Sequence, residues 1–242
     1  MISLAFDWNS FCYKWTNEGL MRAACLGQEG KVRQLLYNGY YIDVKNDYDE
    51  TPLIFASRVG HAKVVNLLLE NRATIESKDQ DGCSALIWAV GEGHDDVIHS
   101  LVTKRANTEV KATGGGNSGK TPLIIAAGKG HNIAVKLLLS HGANVEAKDD
   151  DGSSALIWAT GEVHQDVVNS LLKKGANTEV KPTSGFHAGQ TALLIAVDDG
   201  QIAIVYSLLA YGANIEARDE GGQTALSQTS SRIMVDVLLK NG

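Results

Sequence analysis

Proline, cysteine and aromatic residues are scarce in this sequence, and long apolar runs are absent. Its 242 residues include three prolines and three cysteines, and the aromatic content is 6%. The cysteines Cys12, Cys25 and Cys83 are odd in number and show no C-x-x-C spacing, so we expect a reduced intracellular protein, cytoplasmic or nuclear. Because no run of eighteen apolar residues occurs, we expect no membrane insertion.

Basic residues are also fewer than acidic residues. The chain has 22 Lys and Arg against 28 Asp and Glu, which gives a net charge of −6. Nucleic-acid-binding proteins usually carry a basic patch or stripe, so we expect no nucleic-acid partner. The first residues, MISLAFDWNSFCYKW, have neither a basic start nor an uninterrupted apolar stretch, and we expect no secretory signal. The 44% hydrophobic content is ample for a folded core.

One motif suggests nucleotide chemistry. Residues 114–121, GGGNSGKT, match the G-x-x-x-x-G-K-[ST] loop, in which backbone N–H groups, a lysine and a hydroxyl hold phosphates and Mg²⁺. That loop needs a buried strand before it, but the preceding segment, ANTEVKAT, is polar. The equivalent loop two repeats later, SGFHAGQT, has Gln190 in place of Lys120. We therefore expect no nucleotide and no other cofactor, with a nucleotide-binding protein as the disfavoured alternative.

Four landmarks repeat along the chain. The tetrapeptide TPLI, SALI or a variant begins at residues 51, 84, 121, 154, 191 and 224, so that successive copies are 33 or 37 positions apart. Gly-His or its variant, a leucine pair and a turn such as GANVE follow most copies. A degenerate earlier copy contains Gly27, which precedes Gly60 by the shorter of these intervals. Self-similarity at a fixed period of this size indicates a repeat protein.

Each copy carries the local signals of two helices and a hairpin. Thr or Ser is a good N-cap, Pro fits the first helical turn, and Gly130 and Gly142 end the two helices of one copy. This 33-residue pattern with T-P-L resembles the ankyrin repeat. The His that the family has after T-P-L is replaced here, which implies packing in place of its hydrogen bonds. The residues at that position are Ile54, Ile87, Ile124, Ile157, Leu194 and Ser227.

The resemblance implies an all-α ankyrin-repeat solenoid of about seven helix-turn-helix-hairpin repeats with degenerate terminal repeats. The expected segments are an N-terminal aromatic segment or cap at 1–15, a degenerate first repeat at 16–45, ordinary repeats at 46–78, 79–111 and 149–181, repeats with a long hairpin at 112–148 and 182–218, and a truncated C-terminal repeat at 219–242.

The other groups with possible chemistry are interpreted as structural. The histidines that follow glycine recur once per repeat at the turn between two helices, so they are spread along the chain and do not converge. The acidic run at residues 149–151 lacks the alternating ligands and the bidentate Glu of a calcium loop. We therefore expect no metal site, no catalytic residues and no enzyme. The four histidines are His61, His94, His131 and His164.

A row of apolar residues is the candidate binding surface. These residues come two positions after the leucine of each tetrapeptide, about 200° around the helix from the buried seam. In the ankyrin family this position borders the concave groove, although packing between layers is the alternative. Residues at the helix ends and at the tip of the second long hairpin complete the set. The candidate partner-binding residues are Phe55, Val59, Trp88, Glu92, Ile125, Lys129, Trp158, Glu162, Ile195, Asp199, Phe186 and His187.

The predicted function is protein–protein recognition. We expect a scaffold or adaptor that binds another protein or peptide through the concave groove and the hairpin fingers. Three alternatives stay open besides nucleotide binding: a recognition fragment of a larger multidomain protein, a secreted effector, and a purely structural repeat.

Overall fold

The computed structural model describes residues 19–241, so the expected aromatic segment at residues 1–15 lies outside the described part. Residues 19–241 form fourteen α-helices, one 3-10 helix at Gly115–Asn117 and isolated β-bridges. The chain divides into two compact units, Met1–Ser118 and Gly119–Gly242. Among the helices described, none combines the length and the apolar character that crossing a membrane requires.

The first unit contains three helix pairs. The two helices of each pair pack on each other. The first helices of successive pairs (α1, α3, α5) also pack together, as do the second helices (α2, α4, α6). The helices are α1 (Gly19–Cys25), α2 (Glu29–Tyr37), α3 (Pro52–Val59), α4 (Ala62–Glu70), α5 (Ala85–Glu92) and α6 (Asp95–Thr103).

The second unit contains four helix pairs in the same arrangement, with first helices packed on first helices and second on second. Together, the seven pairs of the described residues confirm the predicted all-α repeat fold. The helices are α7 (Pro122–Gly128), α8 (Asn132–Ser140), α9 (Ala155–Gly161), α10 (Gln165–Lys173), α11 (Ala192–Asp198), α12 (Ile202–Ala210), α13 (Ala225–Gln228) and α14 (Arg232–Asn241).

The first helix of most pairs begins at the predicted cap. In five pairs the cap hydroxyl accepts a hydrogen bond from the backbone N–H three residues later, at 3.3–3.5 Å. This bond satisfies one of the N–H groups that a helix leaves unpaired at its start. In the last pair, the Ser227 hydroxyl accepts instead from the Thr224 N–H at 2.9 Å. The five cap residues are Thr51, Ser84, Thr121, Ser154 and Thr191.

Five of the six residues that replace the family's histidine are core residues. Ile54, Ile87, Ile124, Ile157 and Leu194 are buried and contribute by packing, whereas Ser227 in the last repeat is exposed. Burial of these five contributes to the stability of their repeats, since a fully buried Ile or Leu side chain is worth about 1.5–3 kcal/mol.

The Gly-His landmark joins neighbouring repeats. The Nε2 atoms of His61, His94 and His164 lie 3.0, 2.9 and 3.2 Å from backbone carbonyl oxygens of the preceding repeat. None of these side chains caps its own helix, so their role is to link layers. The glycine one repeat earlier is in the left-handed region and faces the imidazole, at Gly27, Gly60 and Gly130. Each glycine therefore leaves the space that the next histidine fills.

We expect His61 to make stability depend on pH. Burial lowers the pKa of His61, and nearby His94 lowers it further, while the bond to the Cys25 carbonyl acts in the opposite direction. Below about pH 6.5 the unfolded chain takes up a proton at this histidine before the folded chain does, so folding loses stability as pH falls. The His61→Gln variant carries the residue found at the equivalent position 201. It should lose less folding stability than the wild type as the pH falls.

Urea denaturation of both proteins at pH 7.5 and pH 5.5 measures this difference. Wild-type protein should show the larger fall in the free energy of unfolding between the two pH values. An identical fall in both proteins would contradict the assignment of this pH dependence to His61.

Candidate functional site

The candidate apolar row is mostly core. Phe55 is 0% exposed, and Ile125 and Ile195 are also buried, whereas Trp88 and Trp158 are half-buried. Phe55 packs in a cluster with Met21, Cys25 and partly buried Val59. We expected an open apolar stripe, but the side chains at three of its five positions are buried. Phe55, Ile125 and Ile195 therefore fit the alternative interpretation, in which the residues of this row pack in the core.

Both tryptophans are tied to the hairpin that precedes their helix. The indole N–H of Trp88 donates to Asp79 Oδ2 at 2.6 Å, and that of Trp158 donates to Asp149 Oδ2 at 2.7 Å. The other carboxylate oxygen accepts backbone N–H groups of the same hairpin, from Cys83 for Asp79 and from Ser153 for Asp149. The acidic hairpin residues therefore hold the turn and orient the indole nine residues later.

A cation of the protein covers each tryptophan. In the first unit, the Arg58 guanidinium carbon lies 4.9 Å from the Trp88 ring centre and pairs with buried Glu50. In the second unit, Lys120 Nζ lies 3.7 Å from the Trp158 ring centre. Burial lowers the pKa of Lys120, while the carboxylates of Asp149 and Glu162 act in the opposite direction. Both contacts have the geometry of cation–π interactions.

These contacts account for the resemblance of residues 114–121 to a phosphate loop. The ammonium group of Lys120 rests on an indole ring, and the Thr121 hydroxyl caps α7. The residues before the loop, 104–113, form no β-strand. The motif is therefore built from a hairpin, a helix cap and a cation–π contact within the protein.

The second long hairpin, residues 182–189, is held in place by backbone hydrogen bonds. The Thr183 N–H donates to the Asp151 carbonyl at 2.8 Å, and the Gly189 N–H donates to the Pro182 carbonyl at 2.9 Å. The tip nevertheless exposes an aromatic side chain, since Phe186 is 95% exposed. The rings of Phe186 and the next residue, His187, meet edge to face, with centres 4.9 Å apart.

Two cavities lie on either side of this hairpin tip. One of about 220 Å³ is lined by Trp158, Glu162, Phe186 and His187 among others. The other, of about 320 Å³, is lined by the same Phe186 and His187 together with Ile195 and Asp199. Four candidate residues of two repeats thus line cavities beside a hairpin that carries the other two, Phe186 and His187. We call these two cavities and the hairpin tip between them the hairpin surface.

The candidate residues of the first unit are more dispersed. Trp88 lines a cavity of about 440 Å³ with Tyr48, Glu50, Arg58 and neighbouring residues of the next hairpin. Glu92 is exposed at the end of α5. In the second unit, Lys129 is exposed directly after α7.

Sequence reasoning missed the acidic lining of the larger cavity beside the hairpin tip. Asp198, Asp219 and Glu220 join Asp199 there, together with Gln190. Alignment of the repeats could have indicated it, because Gln190 stands at the position of Lys120 and Asp198 at the position of Gly128.

The described residues offer neither a metal-binding cluster nor, at Cys83, a thiol that ionises at neutral pH. Residues 19–241 contain no group of three His, Cys, Asp or Glu side chains placed to hold a metal ion. Burial, together with the nearby Asp79 and Asp81 carboxylates, raises the pKa of the Cys83 thiol to about 12, so this thiol stays protonated at neutral pH.

Comparison with known families identifies the repeat. A family model described as ankyrin repeats, in three copies, matches residues 20–112 and 104–182, and a single-repeat ankyrin model matches residues 188–220. The chain belongs to the ankyrin-repeat family. Ankyrin repeats are in general protein–protein interaction modules, and ankyrin-repeat domains are typically scaffolds without enzymatic activity.

Solved ankyrin-repeat domains share the fold of this ankyrin-repeat chain. The human ASB11 ankyrin repeat domain is 22% identical, with a TM-score of 0.78, over 93% of this chain and 98% of that one. The ankyrin repeat domain of Bcl-3, a member of the IkappaB protein family, is 27% identical, with a TM-score of 0.81, over 92% of this chain and 98% of that one. A search of curated proteins found no match.

Proposed function

We propose that this ankyrin-repeat protein is an intracellular scaffold or adaptor that binds another protein through the hairpin surface of its second unit. The observation that carries the proposal is the nearly complete exposure of Phe186 on a hairpin fixed by hydrogen bonds, between two cavities. Five candidate residues take part, namely Trp158, Glu162, Phe186, His187 and Asp199, and buried Ile195 lines one cavity from within its helix.

The energetics of this surface favour a protein partner. Aromatic side chains that enter a partner's pocket are frequent hot spots and cost about 2 kcal/mol or more when truncated. The hydrogen bonds from the hairpin to Asp151 order its backbone before binding, so less conformational entropy is lost on association. Grooves formed by stacked repeats are extended surfaces suited to this type of recognition.

The other candidate residues have subordinate roles in the proposal. Trp88, Glu92 and Lys129 are additional contact candidates, since they are half-buried or exposed. Phe55 and Ile125 are buried and Val59 packs beside Phe55, so these three support their helices from within.

Affinity capture with matched variants tests the proposal. We expect Phe186→Ala to weaken recovery of a specific partner protein by about 30-fold in apparent affinity, the factor equivalent to about 2 kcal/mol. Tyr206→Ala removes a similar exposed ring from the second helix α12, outside the hairpin surface, and should leave recovery unchanged.

Quantitative mass spectrometry of the captured proteins supplies the readout, and thermal melting of both variants supplies the folding control. Equal recovery of every captured protein by wild type and Phe186→Ala would count against the hairpin surface. Equal losses in both variants would mean that exposed rings bind proteins nonspecifically.

A further inference from the structure

The sequence contains three copies of a two-repeat unit, at residues 50–119, 120–189 and 190–241, which we call the first, second and third pair of repeats. The three pairs share one arrangement at equivalent positions. A hairpin aspartate accepts a hydrogen bond from a side chain nine residues later, and the bond from Trp88 to Asp79 has its counterpart in that from Trp158 to Asp149. In the third pair, Gln228 takes the place of tryptophan, and its Nε2 donates to Asp219 Oδ2 at 3.1 Å. The carboxylate is thus retained where the indole is lost.

The first two pairs supply their own cation beside the tryptophan. In the first pair, Arg58 lies 4.7 Å from the Phe55 ring centre and 4.9 Å from the Trp88 ring centre. In the second pair, Lys120 lies on Trp158, and the Asp149 and Glu162 carboxylates act on its ammonium group. In both pairs a positive charge is therefore held near an aromatic ring and a carboxylate, which is Glu50 for Arg58 and Asp149 or Glu162 for Lys120.

The third pair has neither of these cations. Gln190 stands at the position of Lys120, and Asp198 stands at the position of Arg58. The resulting cavity of about 320 Å³ is lined by Asp198, Asp199, Asp219 and Glu220. Within residues 19–241, none of these four carboxylates forms an ion pair with a lysine, arginine or histidine.

An aromatic side chain completes the cavity. The exposed Phe186 ring borders the same cavity and supplies an aromatic surface, as Phe55 and Trp88 do for Arg58.

We propose that this cavity binds a basic side chain, arginine or lysine, of the partner protein. The inference rests on the proposed function and adds the chemistry of the partner. The incoming cation takes the place that Arg58 and Lys120 occupy in the other two pairs, facing carboxylates and an aromatic ring. Complementary charge also sets the register of a bound segment, because a misplaced basic residue leaves the carboxylates unpaired.

Peptide selection provides the probe for the test. A display library of random 12-residue peptides is selected on the wild-type protein, and peptides whose binding is lost with Phe186→Ala are retained. We expect these peptides to be enriched in arginine or lysine at one position. Their affinities are then measured by fluorescence anisotropy.

Three variants of the protein distinguish the outcomes. Asp198→Asn and Gln190→Lys should each weaken binding about fivefold, because one removes a carboxylate and the other supplies an internal cation. Asp236→Asn, which changes the same charge on exposed α14, should have no effect. Replacing the enriched arginine by citrulline should cause the same loss, and the loss should not increase further in Asp198→Asn.

Each outcome bears on a different claim. Peptides that require Phe186 but show no basic enrichment, or bind Asp198→Asn as well as wild type, would overturn the inference and leave the proposed function standing. A selection that returns no peptide dependent on Phe186 would contradict the proposed function itself. Weaker binding at higher salt, with the same dependence lost in Asp198→Asn, would support the ion pair.

Discussion

Replacing Arg58 by alanine is expected to destabilise the protein by about 3–5 kcal/mol, because it leaves a buried carboxylate without its cation. Arg58 and Glu50 are both buried and form an ion pair. The guanidinium also fills the space between the rings of Phe55 and Trp88. The variant therefore loses packing between two repeats together with the charge compensation.

A double variant separates these two causes. Glu50→Gln with Arg58→Met removes both charges, keeps an amide oxygen within reach of Asn46, which now donates to Glu50 at 2.8 Å, and retains a long apolar side chain. We expect this protein to recover at least half of the lost free energy of unfolding in urea denaturation, since removing both members of a buried pair is often tolerated. A double variant as unstable as Arg58→Ala would show that packing by the guanidinium, not the unpaired charge, dominates.

Gly130→Ala should cost about 3 kcal/mol, the second large effect, through backbone strain and overpacking together. Gly130 has φ of 74°, and an alanine there would place its Cβ 2.6 Å from Nδ1 of His164. The left-handed backbone costs a non-glycine residue roughly 1–2 kcal/mol, and overpacking adds roughly 1–3 kcal/mol. His164 would have to leave its position near the Gly128 carbonyl, which would loosen the contact between two repeats.

Gly142→Ala is the matched control, since Gly142 has φ of 89° but no atom within 4 Å of an added Cβ. It should cost only the backbone contribution, about 1–2 kcal/mol. Free energies of unfolding from urea denaturation compare the two variants directly. Equal costs would mean that the histidine has room to move and that the Gly-His register does not join repeats.

The repeat itself could be predicted from the sequence because its signals are local. A cap hydroxyl, as at Thr51, acts on an N–H three residues away, and a glycine such as Gly130 is required by its own backbone angle. The apolar residues that replace histidine, such as Ile54, also lie where the helical period puts them. Each of these signals is weak alone, but the repeat can be recognised because they recur at the same positions in successive copies.

The binding surface was harder to predict because it depends on contacts between repeats. The helical period correctly separated Trp88 from the buried seam at Leu86, but it could not show that neighbouring layers cover Phe55. Nor could it show that Lys120 lies on Trp158, a residue of the next repeat. The acidic cavity was also missed. It is recognised only by comparison with the first two pairs of repeats, in which a cation of the protein itself lies on the aromatic rings.

Site-specific photocrosslinking tests the central claim, that a protein binds at the hairpin surface of the second unit. Benzoylphenylalanine is incorporated at position 186 or, as a control, at position 206 on exposed α12, and cells are irradiated before analysis. The account predicts one protein crosslinked from position 186 and absent from position 206. No crosslinked protein at position 186, or the same set at both positions, would contradict it.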